Sequence, residues 1–498
     1  MRTSRRNALV ALAVTGLVSS GSAVAVANPS VAQAPGVVAA PPAKDLKATE
    51  KLRKAVTADA VMSHLRRFQA IADANDGNRG AGTSGYEASG KYVEGVLAKA
   101  GYTTKRQHFD FFYEKVTATS LGVVSPQARA IEHNPMSYSP ATPAGGITAA
   151  LVAPKVATGC DAAAWEGVAA TGKIALVARG TCSFSVKSQA AKAAGASAAI
   201  IYNNADGALN GTLGELSDAN VPTTGVTQAE GQALLAQVGS GPVTVKFVLD
   251  KIVEKRKTFN IIAESKRGNP DNVVMAGAHL DSVDDGPGIN DNGSGSAAIL
   301  EVAVQLAKQK NIQGKPANKV RFAWWGAEEL GLLGSQHYVN DLKTKNPAAL
   351  KKIATYLNFD MVGSPNHIIG VYDADQSTYK APVAVPAGST ATEDVFTDYF
   401  GATKQPWVDT EFSGRSDYQA FITNGIPASG LFTGADGTKT AKEVQLFGGT
   451  AGITYDPNYH TPKDDIKNIN VKALDINSDA IAHAVLSLAT STRAVNGR

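Results

Sequence analysis

Two short runs of the sequence combine a histidine with carboxylates at positions where one metal site could use them. Residues 278–282 contain His279 and Asp281, and residues 290–295 contain Asp291 in a glycine-rich setting. Zinc binds imidazole nitrogen and carboxylate oxygen, and a pair of metal ions also needs a carboxylate that bridges them. These residue types therefore predict metal-assisted hydrolysis.

Further candidates for the same site occur later in the chain, namely Glu328, Glu329, Asp360 and His460. We expect His279 and Asp360 to bind one ion. Glu329 and His460 would bind the other, and Asp291 would bridge the two. This arrangement leaves coordination positions for a shared water or hydroxide.

Glu328 directly precedes a candidate ligand, and adjacent side chains in a turn can point in different directions. It is therefore predicted to act as a general base that moves protons. Alone, each candidate also has a structural interpretation. A histidine at a strand end is often a surface or hydrogen-bonded residue, and a pair of glutamates often stabilises a helix N-terminus. Their joint occurrence favours one site.

The elements that must position these residues alternate between strands and helices. Residues 272–278, 320–325 and 353–359 are largely apolar, as expected for strands covered on both faces, and 294–308 have helical periodicity. The candidates follow the ends of these three strands, where open α/β sheets bind ligands. We therefore predict an α/β fold with a mostly parallel mixed sheet flanked by helices.

Composition limits the classes of protein that are possible. The chain has 498 residues, 44% of them hydrophobic and 18% charged, so it can bury a large core and form two or more domains. Its formal net charge is only +4, and it has no long basic run interleaved with aromatic residues. Nucleic acid is therefore not an expected partner.

The first residues resemble an export signal. Three arginines precede the apolar residues 8–18, and small residues at 25–27 suit a signal peptidase, so residues 1–27 are predicted to be a signal peptide. Residues 4–7 resemble a twin-arginine signal but lack the lysine and bulky apolar residue that often follow, so both export routes stay open. Residues 28–54 are predicted to be a flexible or pro-segment. No later run is long and apolar enough to span a membrane, so a secreted, extracellular protein is expected.

The middle of the chain differs from its flanks. After predicted helices at 58–74 and 85–101, short strands and glycine or proline turns begin near residue 117. Residues 172–177, 179–184 and 193–196 resemble the protease-associated domain, a non-catalytic insertion beside a peptidase site. We place N-terminal helices of the peptidase domain at 55–115, the small α/β insertion at 116–252, and the catalytic domain at 253–498.

The chain has two cysteines, Cys160 and Cys182, both within the predicted insertion. In an oxidising compartment they most simply form a disulfide, and a pair of buried free thiols is the alternative. Neither has a histidine close in sequence, so neither is predicted to be a nucleophile.

Five separated motifs, in order, resemble the secreted bacterial di-zinc aminopeptidases, a family that includes leucyl aminopeptidases and aminopeptidase Y; the motifs are residues 277–282, 288–295, 325–335, 358–362 and 459–464. The resemblance implies a zinc exopeptidase fold, two Zn2+ ions per chain, and removal of N-terminal residues, particularly large apolar ones such as leucine. It also implies peptide or protein substrates with a free N-terminus. Separately from the resemblance, a monomer that binds no membrane is expected.

The same resemblance assigns roles to individual residues. His279, Asp291, Glu329, Asp360 and His460 correspond to the metal ligands, and Glu328 to the general base. Tyr459 matches a tyrosine that donates to the developing oxyanion, and Asp281 a carboxylate that accepts a hydrogen bond from a ligating imidazole. The bond between Asp291 and Asn292 is expected to be cis. Arg415 lies where relatives line the substrate pocket, and Phe421 is an aromatic residue that lines either this pocket or the core.

Two alternatives remain at this stage. A carboxypeptidase or dipeptidase shares the metal centre and anchors a C-terminal carboxylate with a positive side chain, for which Arg415 is available. A receptor-like ectodomain shares the scaffold without activity. Such proteins lose ligands, whereas this chain has all five together with Glu328, so an enzyme is expected.

Overall fold

The computed structural model describes residues 43–309 and 316–498. The predicted signal peptide and the first part of the predicted flexible segment lie outside the described residues. Helix α1 (Ala43–Arg53) covers the end of that segment. It packs on the helix Val471–Thr490, buries Leu52 completely, and places Thr49 Oγ1 2.8 Å from His483 Nδ1. Residues 43–53 of the predicted flexible or pro-segment therefore form a helix that packs on the core.

Two amphipathic helices follow at the predicted places, α2 (Ala58–Asp73) and α3 (Ser84–Ala100). The side chain of Thr57 accepts the backbone N–H of Ala60, and that of Thr83 accepts the N–H of Tyr86, as N-cap residues do. Helix α3 ends at Gly101, which has φ +92°, a left-handed conformation that favours glycine. The predicted C-cap at Gly101 is confirmed.

A small α/β unit is inserted between two long strands, β1 (Thr104–Ser125) and the later strand Thr244–Glu264. Its elements are β2 (Arg129–Ile131), β3 (Asn134–Pro135), β4 (Ile147–Val152), α4 (Ala162–Trp165), β5 (Ile174–Ala178), α5 (Phe184–Ala193), β6 (Ala198–Tyr202), β7 (Thr223–Val226) and α6 (Gln228–Ser240). Strands β4, β5, β6 and β7 are parallel neighbours in that order. Cys160 and Cys182 form a disulfide within this unit, as predicted.

The chain enters and leaves the insertion through one antiparallel ladder. Strand β8 (Thr244–Glu264) pairs with β1 along almost its whole length, with Lys115 opposite Ile252. The limits predicted for the insertion, residues 116 and 252, therefore fall beside facing positions of a continuous two-stranded ribbon. The ribbon connects the insertion to the rest of the molecule, since β8 also pairs with β4 on the insertion side.

The remaining elements form the larger sheet and the helices that cover it. They are β9 (Asn269–His279), α7 (Gly295–Lys308), β10 (Asn318–Trp325), α8 (Leu333–Lys345), α9 (Pro347–Leu350), β11 (Ile353–Asp360), β12 (Gly370–Tyr372), α10 (Ser389–Thr403), β13 (Val408–Thr410), α11 (Tyr418–Ile422), β14 (Ala428–Phe432), α12 (Ala441–Phe447), α13 (Val471–Thr490) and α14 (Arg493–Asn496).

The order of strands in this sheet is β13-β12-β14-β11-β9-β10-β8. Strands β14, β11, β9 and β10 are parallel, whereas β12 and β8 are antiparallel to their neighbours β14 and β10. Every residue of β11 is buried, as expected for a strand with both faces covered. The predicted mixed, mostly parallel sheet with flanking helices is confirmed. Among the described residues, none of the helices has the length and hydropathy needed to span a membrane.

Candidate active site

The parallel strands bring the predicted site residues to one edge of the sheet. Strand β9 ends at His279, β11 ends at Asp360, and β10 ends at Trp325, which lies opposite His279 in the ladder. The chain turns after β10 and presents Glu328 and Glu329 at the same edge. Three sequence segments that are far apart therefore meet where the carboxyl ends of the strands adjoin.

Asp291 lies between the two candidate histidine ligands. Its Oδ1 is 3.2 Å from His279 Nε2, and its Oδ2 is 3.1 Å from His460 Nε2. The residue is in a buried turn before α7, and the peptide bond from Asp291 to Asn292 is cis, as the resemblance implies. Each oxygen of this carboxylate therefore faces a different imidazole, which is the arrangement a bridging ligand needs.

One further carboxylate accompanies each imidazole. Asp360 Oδ1 is 3.4 Å from His279 Nε2, and Glu329 Oε2 is 3.0 Å from His460 Nε2. Asp360 Oδ1 and Glu329 Oε1 are buried and have no hydrogen-bond partner among the described residues. Buried carboxylate oxygens normally have partners. Two sets of one imidazole and two carboxylates, with unpartnered oxygens, match the donor set of a pair of zinc-type cations.

The charges of the site are mutually dependent. Burial raises the pKa of Glu329 to about 7, and it lowers that of His460, but Asp291 and Glu329 outweigh burial and raise the pKa of His460 to about 10. Burial also opposes ionisation of Asp291, yet hydrogen bonds from His279 and His460 hold its pKa below the usual range. Protons on the imidazoles therefore balance the carboxylates, and cations that bind here would replace these protons.

Glu328 faces the same centre from the His279 side. Its Oε2 is 3.9 Å from His279 Nε2, and one of its oxygens clusters with ligand atoms of His279 and Asp360. Burial raises the pKa of Glu328 well above its usual range, and the nearby Asp360 acts in the same direction. A buried carboxylate with a raised pKa beside the reaction centre is suited to accept and return a proton.

Asp281 contributes to the site in a different way from that expected. The hydrogen bond to His279 Nδ1 is accepted by the backbone carbonyl of Asp281 at 3.0 Å, whereas its carboxylate lies 3.7 Å away. The carboxylate instead accepts the backbone N–H groups of Glu328 and Glu329, at 3.2 and 3.3 Å. Asp281 therefore orients His279 with its Nε2 toward the centre, and it also holds the turn that carries both glutamates.

Arg79 is a functional residue that sequence reasoning missed. Its side chain is completely buried, and its guanidinium donates to the carbonyl of Leu280, to that of Pro287 at 2.9 Å and to that of Gly288 at 2.6 Å. Burial lowers its pKa to about 10, so it stays cationic at neutral pH. Arg79 thus fixes the loop between His279 and Asp291, although it lies 200 residues earlier in sequence and no local pattern marks it.

Two further residues orient ligands from nearby loops. Asp464 accepts the backbone N–H groups of Asn290 and Asp291 at 2.9 and 3.0 Å, which ties the loop after His460 to the bridging carboxylate. Ser416 donates to Asp360 Oδ2 at 2.6 Å. Asp464 belongs to one of the motifs that resemble the family and Ser416 does not, and both roles depend on contacts between distant segments.

Three non-glycine residues at the site have left-handed backbone conformations. They are Ala327 (φ +57°), Met361 (φ +50°) and His460 (φ +57°). Such conformations are uncommon outside glycine and cost free energy, so they persist where the surrounding structure requires them. Here they occur immediately before Glu328, immediately after Asp360, and at a candidate ligand itself.

A cavity of about 210 Å³ adjoins the carboxylates. Its apolar and aromatic lining includes Met361, Tyr372, Tyr418, Phe432 and Tyr455. Tyr459 and Arg415 also line it, and the ring of Tyr459 stacks on that of His460 at 3.8 Å between centroids. Burial raises the pKa of Tyr459, so its hydroxyl remains a donor.

Phe421 was expected to line either the substrate pocket or the core, and it does not line the cavity beside the carboxylates. Phe421 is completely buried, and its ring stacks on that of Tyr356 with 3.8 Å between centroids, close to Trp325. It therefore belongs to the core beneath the site.

Arg415 is engaged by an acidic partner. Its Nη1 and Nη2 lie 3.0 and 3.2 Å from the two carboxylate oxygens of Asp436, and Nη2 is 3.5 Å from the hydroxyl of Tyr459. A guanidinium already paired in this way is poorly placed to anchor a substrate carboxylate. The geometry therefore disfavours the carboxypeptidase alternative.

The sheet and the cluster at its carboxyl edge define an α/β enzyme of the metallopeptidase class. The model of peptidase family M28 matches residues 260–485, and the PA domain model matches residues 147–234. An aminopeptidase of Pseudomonas aeruginosa (strain UCBPP-PA14) is 44% identical over 484 residues, which cover 94% of this chain and 86% of that protein. The leucine aminopeptidase 2 of Trichophyton rubrum is 42% identical over 91% of this chain and 88% of that protein.

Solved structures agree with these relatives. An aminopeptidase from Aneurinibacillus sp. strain AM-1 superposes with a TM-score of 0.70 at 29% identity, covering 88% of this chain and 95% of the other. A zinc aminopeptidase from Bacillus subtilis gives a TM-score of 0.57 at 26% identity, covering 87% and 95%. The chain therefore belongs to peptidase family M28 and carries an inserted PA domain. The predicted family and enzyme class are confirmed.

Proposed function

We propose that this protein is a secreted aminopeptidase that uses two zinc ions to remove N-terminal residues, preferably large apolar ones such as leucine, from peptides. The observation that carries the proposal is the Asp291 carboxylate between His279 and His460, with Glu328 beside it. The solved relative from Bacillus subtilis is described as a zinc aminopeptidase, and the imidazole and carboxylate donors here suit the same metal.

In this proposal His279 and Asp360 would hold one ion, and Glu329 and His460 would hold the other. Asp291, which lies between the two imidazoles, would serve both ions. When bound, zinc acidifies water and polarises a carbonyl group. The protein contributes the fixed positions of the ligands, a buried site, and groups that transfer protons.

Glu328 and Tyr459 perform the proton-transfer and hydrogen-bonding steps. The Glu328 carboxylate takes a proton from the attacking water and returns it to the amine that leaves when the C–N bond breaks. The hydroxyl of Tyr459 donates a hydrogen bond to the oxygen of the former carbonyl as negative charge develops there. Stacking against His460 fixes the Tyr459 ring beside the centre.

The cavity beside the carboxylates supports an exopeptidase with an apolar preference. Its volume of about 210 Å³ suits a single side chain, and its aromatic and apolar lining favours a large apolar one. The carboxylates at its inner end favour a substrate's positively charged α-amine. The names of the relatives, aminopeptidase and leucine aminopeptidase, agree with this specificity.

The proposal also includes secretion and a monomeric state. Secretion is supported by the leader and the disulfide. The arginine-rich apolar leader in residues 1–27 supports export. The disulfide between Cys160 and Cys182 suits an oxidising compartment. No nucleic acid or membrane partner is proposed, and the substrates are peptides or proteins with a free N-terminus.

The function is tested with a matched pair of substrates. Leu-Ala-amide should be hydrolysed at its Leu–Ala bond, whereas N-acetyl-Leu-Ala-amide should not be hydrolysed. A strong chelator should abolish hydrolysis, and zinc should restore it. Cleavage of the acetylated substrate would contradict an aminopeptidase, and activity that survives chelation would contradict the metal centre.

A further inference from the structure

We propose that the cleft between the insertion and the peptidase domain binds the substrate's peptide chain on the C-terminal side of the scissile bond, and that it favours apolar residues there. The inference rests on the proposed aminopeptidase function. It concerns a cavity separate from the one that takes the first side chain, and it assigns a substrate-binding role to the inserted domain.

The inter-domain cleft is a cavity of about 450 Å³ to which both parts of the molecule contribute. The insertion and the ribbon supply Phe112, Val116, Met136 and Leu249, and the turn after β10 supplies Leu330 and Gly331. This volume lies in the range of pockets that bind small molecules and peptide fragments. The cleft is thus large enough for more than one side chain of a substrate.

The inter-domain cleft lies next to the metal-ligand cluster. Glu329 lines both this cleft and the smaller cavity that holds Tyr459 and Arg415. A peptide whose first side chain occupies the smaller cavity has its scissile carbonyl at the carboxylate cluster. The chain that follows the scissile bond then leaves along the turn at residues 329–331, which is the wall of the inter-domain cleft.

The lining of the cleft favours apolar over charged residues. Phe112 and Val116 are 48% and 46% exposed, and both face a cavity next to the proposed reaction centre. Exposed apolar residues grouped in this way commonly mark a binding surface. Apolar substrate side chains that cover them would be removed from water, which stabilises the complex.

Apart from Glu329, the charged residues that line the cleft are paired with each other. Lys251 Nζ is 2.8 Å from Glu114 Oε1, and the Lys251 side chain is only 3% exposed. Glu114 Oε2 also accepts the backbone N–H of Tyr138 at 2.7 Å. An acidic substrate residue would have to compete for Lys251 or lose its hydration, and either is unfavourable.

Tyr138 connects the two walls of the cleft. It lies in the insertion, and its hydroxyl is 3.5 Å from the backbone carbonyl oxygen of Leu330 in the turn that carries Glu329. This contact joins the insertion to the ligand-bearing turn at the inner end of the cleft. It places the insertion close enough to touch a peptide that leaves the centre.

The proposal is tested with substrates that share one scissile bond and have amidated C-termini. Leu-Ala-amide, Leu-Ala-Phe-Leu-amide and Leu-Ala-Asp-Asp-amide differ only beyond that bond. We expect kcat/KM to be about tenfold higher for the apolar tetrapeptide than for Leu-Ala-amide, because additional apolar surface is buried in the transition state. The acidic tetrapeptide should show no such gain.

Variants of cleft residues test whether the higher kcat/KM of the apolar tetrapeptide comes from binding in the cleft. Replacing exposed residues, as in the double variant Phe112→Ser/Val116→Ser, should bring the ratio of kcat/KM for the apolar tetrapeptide to kcat/KM for Leu-Ala-amide close to one. Val124→Ser is the matched control, since Val124 is 48% exposed on the same strand but does not line the cleft. Equal kcat/KM for all three substrates, or a gain that survives the double variant, would overturn the inference. Failure of the proposed function would differ, because Leu-Ala-amide itself would not be hydrolysed.

Discussion

The adjacent residues Glu328 and Glu329 have different neighbours at the site. Glu329 Oε2 is 3.0 Å from His460 Nε2, whereas Glu328 Oε2 is 3.9 Å from His279 Nε2. Their backbone N–H groups are both held by the carboxylate of Asp281. One side chain can therefore bind a metal while its neighbour moves protons, because the turn separates their directions.

The first prediction tests these separate roles. Glu328→Gln should retain both zinc ions per chain and lower kcat by about 10²- to 10⁴-fold, the usual contribution of a general base. Glu329→Gln should instead lose zinc from the half of the site that contains His460. Zinc content by mass spectrometry and turnover of Leu-Ala-amide are the measurements. Loss of zinc in Glu328→Gln would mean that the two roles are exchanged.

At the level of elements, the connection between β9 and α7 follows His279 and carries Asp291. Arg79 lies in the connection between α2 and α3. Its guanidinium supports the loop by donating hydrogen bonds to three of the loop's carbonyls. Asp464 supports the other end through the N–H groups of Asn290 and Asp291. The position of the bridging carboxylate thus depends on segments at both ends of the chain.

The second prediction concerns Arg79→Lys, which keeps the charge but cannot make all three hydrogen bonds. We expect the free energy of unfolding to fall by about 2–4 kcal/mol, because buried carbonyls lose donors. Zinc affinity should fall by about 10- to 100-fold, as when other groups that orient ligands are changed. Denaturant unfolding and competition with a zinc chelator measure the two effects. Arg66→Lys, at an exposed site on α2, is the control and should change neither.

The third prediction concerns helix α10 and the pH dependence of stability. Burial raises the pKa of Glu393 to about 8 from its usual 4.5, although its Oε2 accepts the N–H groups of Ala374 and Asp375. Because the folded pKa exceeds the unfolded one, the unfolded chain loses this proton first. The contribution of Glu393 to stability is therefore complete below about pH 4.5 and declines as pH rises to about 8.

Glu393→Gln should flatten this decline, since the amide oxygen can accept the same N–H groups and carries no charge. One pKa unit corresponds to about 1.4 kcal/mol, so the difference in unfolding free energy between the two proteins should change by a few kcal/mol across this window. Thermal unfolding from pH 5 to pH 8, without added divalent cations, measures it. Parallel pH profiles for the two proteins would show that Glu393 does not titrate in this way.

For the whole molecule, the insertion is connected through one ribbon. Lys115 and Ile252 face each other in the ladder of β1 and β8, and the strands continue from there into the peptidase domain. Two facing positions of an antiparallel ladder can be joined by a two-residue turn. A two-residue turn between Lys115 and Ile252 could therefore replace the insertion and keep the peptidase domain as one continuous chain.

The fourth prediction concerns a variant in which such a turn replaces the insertion. Replacing residues 116–251 with Asn-Gly should leave a folded protein that binds the same zinc ions and hydrolyses Leu-Ala-amide within about tenfold of the full chain, since a domain with its own core folds independently. It should lose the preference for apolar residues beyond the scissile bond. Circular dichroism, zinc content and the three-substrate series are the measurements. An unfolded product would show that the peptidase domain needs the insertion.

Much of the fold was predictable from local patterns. The apolar runs that became β9, β10 and β11 and the amphipathic spacing of α2 and α3 have strong periodicity, so their positions agree with the structure within a few residues. Helix α1 was missed, because its sequence follows a proline- and alanine-rich stretch and its burial depends on α13. The sequence left Phe421 open between pocket and core for the same kind of reason, since its burial comes from contacts with Tyr356 and Trp325.

The residues that could form the centre, and the strand ends on which they lie, were predictable from the sequence because strand periodicity and residue chemistry are local properties. Their orientations became known from the fold: Asp281 uses its carbonyl for His279, Arg79 holds the intervening loop, and Arg415 is paired with Asp436. These outcomes depend on hydrogen bonds between segments far apart in the chain. No local pattern encodes such bonds, since they form only when packing brings the segments together.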